Sequence, residues 1–125
     1  QGNYEMGSGY TAMKELLNME PRPTAVFCSN DEMAVGAYKA IRERHLDVPS
    51  DVSVAGFDDN VFSEFIFPTL TTVRRPIETI SRTGAKVLME LIENPSTVHE
   101  KQYLHTEIII RESVGRFSEM HEKNN

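Results

Sequence analysis

The sequence predicts an α/β fold, a parallel sheet with flanking helices, and three observations predict it. Two short runs, residues 24–28 (TAVFC) and 51–57 (DVSVAGF), are apolar almost throughout, the pattern of parallel strands covered on both faces. One helical repeat lies between them. Strand, helix and strand in that order make a βαβ unit, whose crossover forces the strands to run parallel.

Each element follows from its residues. Over residues 8–19, Tyr10, Met13, Leu16 and Leu17 share one face at helical spacing. Ser8 is expected to cap that helix, and Pro21 and Pro23 to stop it. After the first strand, Asn30 opens a second helix reaching about His45. Its side chain suits a free backbone N–H, and Asp31 and Glu32 in the first turn suit the helix dipole, as Arg42, Arg44 and His45 do in the last. Met33, Ala34, Ala37, Ala40 and Ile41 form its buried face, and Gly36 allows a neighbouring helix to come close. Asp58-Asp59-Asn60 turns the chain after the second strand. Residues 71–74 (TTVR) are extended, and Pro76 fits the first position of a third helix with the stripe Ile77, Ile80, Gly84, Val87, Leu88 and Leu91. Asn94 and Pro95 end it. Residues 103–111, with Ile108-Ile109-Ile110, read as a last strand. The polar residues from Ser118 read as a frayed terminus.

Composition narrows the function. The 125 residues are 39% hydrophobic and 26% charged, enough for one core or a large part of one. The net charge of -6 weighs against this segment gripping nucleic acid by itself. The single cysteine, Cys28, allows no intramolecular disulfide and reads as a buried reduced thiol. No run reaches the apolar length of a membrane span, and no signal peptide opens the chain. Gln1 is not an initiator methionine, and the abrupt QGNYEMGSGY start reads as that of a fragment.

Ligands of open α/β sheets bind outside the carboxyl ends of the strands. One such end carries Ser29, Asn30 and Asp31, the other Asp58, Asp59 and Asn60. Short amides and carboxylates suit a ligand rich in hydroxyls or ring nitrogens. Equally, Asn30 can serve only as a helix cap, and Asp58 and Asp59 only as turn residues. The acid pair also fits a receiver-type phosphoacceptor, but the further carboxylates and lysine of such a site are not evident. There is no G-x-S-x-G, P-loop or G-x-G-x-x-G, and His45, His99, His105 and His121 lack metal-ligand spacing. No catalytic residue, metal or cofactor is expected. Arg74-Arg75 reads locally as a solvated pair at an element boundary.

PTAVFCSNDEMAVGAYKAI, VPSDVSVAGFDDN, PTLTTVRRP and the closing IIIRES, in that order and spacing, resemble the LacI/GalR transcription regulators. The resemblance runs from Gly2 to about Ser113. It implies part of a periplasmic-binding-protein-like (type I) core, in which two α/β subdomains enclose an effector. Residues 1–72 would belong to the C-terminal subdomain. Residues 73–105 would hold a crossover and a helix of the N-terminal subdomain, and 106–117 the strand returning from it. Residues 118–125 would be a tail. By the same resemblance Tyr4 packs on the effector ring, and Asn30 and Asp58 bond it. Arg75 stands at a crossover position where other members often carry Gln; it either points to a more acidic effector or bonds a carbonyl. Val35, Lys39, Phe65, Ile66 and Phe67 would lie in a homodimer interface. The implied partners are a sugar or sugar derivative, a second copy, and operator DNA through an N-terminal helix-turn-helix that this segment lacks; no membrane is implied. The implied compartment is the cytoplasm. With half the cleft absent, weak effector binding and self-association through exposed core surface are expected. The alternative is a sugar-binding protein of an uptake system, which shares the core but not the DNA head; the R-E-S ending and the VPSDVSVAGFDD run lean towards the regulator.

Overall fold

A computed structural model describes residues 2–116. The elements follow in the order α1 (Met6–Leu16), β1 (Ala25–Phe27), α2 (Asp31–Glu43), β2 (Ser53–Asp58), a 3-10 turn (Val61–Glu64), β3 (Thr71–Arg74), α3 (Ile77–Glu93) and β4 (Glu107–Ile109). Two compact units result. One comprises residues 2–74 and 108–116 of those described, the other residues 75–107. The expected tail from Ser118 lies outside the described residues.

The sheet has the order β1-β2-β3-β4, and β1–β2 and β2–β3 are parallel. Phe27 pairs with Ala55, and Asp58 with Arg74, so these three strands end on one rim.

Helices α1 and α2 pack against each other through glycine. A Cβ on Gly36 would overlap the Met6 carbonyl oxygen and lie 2.7 Å from the Tyr10 nitrogen. Gly9 meets α2 in the same way, its missing Cβ falling 2.6 Å from Met33 Cα. The close approach expected at Gly36 is therefore a crossing of two backbones. Met13, Leu17, Met33, Ala34, Ala37, Ala40 and Ile41 are buried there, together with Val52, Val54 and Leu70 from the sheet side. Cys28 joins this core as a free thiol. Burial first, and the nearby Asp31 carboxylate second, push its pKa up to about 11.

Several local expectations need correction. Ser8 is not the cap of α1. Glu5 holds that position without a side-chain bond, and Ser8 sits inside the first turn, its Oγ bonded to the Glu5 carbonyl at 2.9 Å. The helix ends at Leu16, before the prolines, because Asn18 and Met19 turn back to bond Glu15 and Leu16. At the end of α2, His45 takes a left-handed φ of 57° and closes the helix at Glu43. Among the described residues β1 stands at the edge of the sheet and is not covered on both faces: Ala25 and Phe27 are exposed and Val26 is half-buried. β4 is three residues long, not nine. The stripe of α3 exists, but none of the helix's residues is buried.

Candidate functional site

The carboxyl ends of β1, β2 and β3 bring Asn30, Asp58 and Arg74 to one rim of the first unit. Asn30 caps α2, as its residue type predicted. Its Oδ1 accepts the Met33 N–H at 2.9 Å, while its Nδ2 donates to the Tyr4 carbonyl at 2.9 Å. The second bond matters for Tyr4, whose φ of 68° is left-handed. A bulky side chain enters that region only where its surroundings enforce it. The Tyr4 ring stays exposed. The amide thus holds the backbone of the aromatic that the family resemblance pointed to.

The turn after β2 is left-handed twice over, with φ 115° at Asp58 and 55° at Asp59. Asp58 is half-buried at the strand end. The Asp59 side chain is buried and bound by two arginines, Arg74 Nε at 2.5 Å and Arg111 Nη2 at 2.8 Å. Burial alone would raise the Asp59 carboxyl. The bonds and charges of Arg111 and Arg74 outweigh it and hold the group below the usual carboxylate range. Asp59 is therefore an internal ion-pair partner, while Asp58 lies half-buried at the strand end.

Two residues that build this rim were not assigned that part from sequence. Asp31, read as a first-turn acid and as one of the polar residues at the end of the first strand, is fully buried. It accepts bonds from Asn60 N (2.7 Å), Ser63 Oγ (2.8 Å) and Thr72 Oγ1 (2.6 Å). Arg111 reaches Asp59, Glu64 (2.9 Å) and the Leu70 carbonyl (2.8 Å). Its neighbours complete a clasp. Glu112 accepts both the N–H and the hydroxyl of Thr69 at 3.0 Å, and buried Ser113 joins the Thr71 N–H to the Val54 carbonyl. The R-E-S triplet is thus what stitches the returning chain onto β2 and β3. A glycine inside a β strand and a basic residue after the last strand were the available signals.

Arg75 begins the other unit. Of the expected interface residues, Phe65 and Phe67 are largely exposed, whereas Ile66 packs on the core. Val35 is half-buried, and the Lys39 ammonium lies 5.0 Å from the centre of the Tyr10 ring. Among the described residues no group of three or more His, Cys, Asp or Glu is placed to hold a metal ion. No described helix is long and apolar enough to cross a membrane.

The periplasmic-binding-protein-like domain family matches residues 1–114. The chain is 52% identical over 118 residues to a probable HTH-type transcriptional repressor, ExuR, of Bacillus subtilis (strain 168), covering 94% of this chain and 35% of that protein. Two solved structures are similar. The transcriptional regulator CelR in complex with cellobiose has a TM-score of 0.84 and 36% identity, over 90% of this chain and 34% of that one. The lac repressor dimer bound to operator and the anti-inducer ONPF has a TM-score of 0.80 and 33% identity, over 90% and 39%. The chain thus spans about a third of the length of the curated relative it matches. These relatives are named as regulators and repressors, not enzymes. The chain belongs to the periplasmic-binding-protein-like domain family, within the group found in LacI-family transcription regulators.

Proposed function

We propose that this chain is the effector-sensing part of a transcriptional repressor, taking a sugar or sugar derivative at the carboxyl rim of its sheet. One observation carries the reading. The consecutive residues Asn30 and Asp31 hold the two ligand candidates from the start of one helix: Asn30 grips the Tyr4 carbonyl, and Asp31 grips the loop that follows Asp58. An exposed aromatic ring and a carboxylate at the same rim match the two faces of a sugar. The ring stacks on its C–H face, and the carboxylate accepts its hydroxyls. Arg75 remains assigned by the family resemblance alone. It is the reason to include a sugar acid among the probes.

The expected experiment is ligand-detected saturation-transfer NMR with ribose, cellobiose and galacturonate. At least one should respond, weakly. Asp58→Asn removes a charged acceptor worth roughly 1.5–3 kcal/mol, so affinity should fall by about 10–100-fold. Unchanged affinity in Asp58→Asn would reject Asp58 as the acceptor.

In the parent protein the effector would act by linkage, favouring one closure of the core over another through its differential affinity for the two. Closure would alter the spacing of paired DNA-reading heads, and half-site spacing is geometric. That role places the protein in the cytoplasm with its operator. The pairing surface we assign to Phe65 and Phe67, and by the family resemblance also to Val35 and Lys39. Two largely exposed phenylalanines within three residues are what a second copy would cover. Sedimentation equilibrium should show a concentration-dependent dimer that Phe65→Ser/Phe67→Ser abolishes; a wild-type monomer at all concentrations would remove the assignment.

A further inference from the structure

We propose that Asp31 is the positioning residue for Asp58: its buried carboxylate locks the left-handed turn that presents the Asp58 side chain at the rim. This rests on the reading of Asp58 as the effector's acceptor. Two consecutive non-glycine residues at positive φ, 115° and 55°, are an unfavourable arrangement for L-residues. Such geometry persists only where neighbouring bonds over-determine it. Here those bonds converge on one group. The Asn60 N–H, two residues past Asp58, donates to Asp31 Oδ2 at 2.7 Å. The Asp59 N–H donates to Thr72 Oγ1 at 3.3 Å, and that hydroxyl donates to Asp31 Oδ1 at 2.6 Å. Ser63 Oγ, from the 3-10 turn beyond the loop, donates to Asp31 Oδ2 at 2.8 Å. Both amides that follow Asp58 are thereby anchored, one directly and one through Thr72.

The backbone of β2 supplies a second, independent observation. A Cβ on Gly56 would overlap Asp31 Oδ1 and lie 3.3 Å from its Cγ. A glycine in a strand interior weakens the strand and marks a close approach. What approaches here is the carboxylate, so two residues before Asp58 the strand gives up a side chain to admit Asp31. The charge is fully buried yet accepts three bonds, which satisfies a carboxylate that burial would otherwise penalise.

Thr72→Val tests this with almost no change of shape, and Thr72→Ser serves as its conservative counterpart. Amide hydrogen exchange of the whole chain should show Asp59 exchanging about tenfold faster or more in Thr72→Val, and both Asp59 and Asn60 doing so in Asp31→Asn. Ile41 in α2 should be unaffected in Thr72→Val, and Thr72→Ser should restore the wild-type rate. The responding sugar should bind Thr72→Val at least several-fold more weakly, and Thr72→Ser as wild type. Should Asp31→Asn fail to fold, the threonine pair decides alone. Exchange at Asp59 that stays unchanged in Thr72→Val, or that rises only in step with Ile41, overturns the proposal, as does faster exchange with undiminished sugar binding. Failure of the underlying function has a different signature: Asp58→Asn would then bind sugar like wild type, whatever the exchange rates at Asp59 and Asn60.

Discussion

Gly36→Val is expected to cost about 3 kcal/mol, the upper end for overpacking, because the atoms it strikes are backbone and not movable side chains. The new Cβ would overlap the Met6 carbonyl oxygen and come within 2.7 Å of the Tyr10 nitrogen. Helix α1 can escape only by moving off α2, which opens the core around Met13, Met33 and Ala37. For a unit of this size the melting temperature should fall by roughly 10–20 °C. Gly7→Ala supplies the contrast within the same helix. Nothing lies within 4 Å of its Cβ position, so it should be neutral or gain up to about 1 kcal/mol of helix propensity. Thermal unfolding followed by circular dichroism separates the two. Equal effects would mean that the helix crossing is not set by Gly36.

Arg111→Met should be the second large effect. It leaves buried Asp59 with Arg74 alone, and it frees the Leu70 carbonyl and Glu64. Breaking one partner of a largely buried ion pair costs several kcal/mol, and Arg74 retains part of the compensation, so about 2–4 kcal/mol is expected. The loss should also depend on pH. In the folded wild type the Asp59 carboxyl lies below its ordinary value, because Arg111 and Arg74 outweigh burial. Its contribution is therefore fully present above the unfolded value of about 3.9 and is lost as pH falls through the lower folded value. Denaturant midpoints taken from neutral pH downwards should converge between wild type and Arg111→Met in the acid range. Parallel curves at every pH would show that Asp59 is not the partner that matters.

What could be read from sequence was what repeats locally. The buried face of α2, the Asn30 cap, the close approach at Gly36 and the acid turn after β2 all arise from spacing or residue type within a few positions, and each is present. What could not be read depends on partners far along the chain. Asp31 looks like an ordinary first-turn acid until Asn60, Ser63 and Thr72 are brought to it across 29 to 41 residues. Arg111 and Ser113 are likewise defined by β2, β3 and the loop between them. Apolar runs also misled. TAVFC suggested a strand covered on both faces, but periodicity says nothing of whether a second layer is present, and Phe27 is exposed. At the candidate site, Asp58 was legible as an acid at a strand end and Tyr4 only through the family resemblance, whereas the long-range bonds from Asn30 and Asp31 that hold them were not.

If Asp58 and Tyr4 form one ligand-binding rim, an amide-detected NMR titration with ribose, cellobiose and galacturonate will show it. Millimolar binding of at least one sugar is expected, with shifts gathered at Tyr4, Asn30 and residues 58–60. Shifts confined to the opposite end of the sheet, around Asp47–Asp51 and the start of β2, or no shift with any sugar, would contradict it.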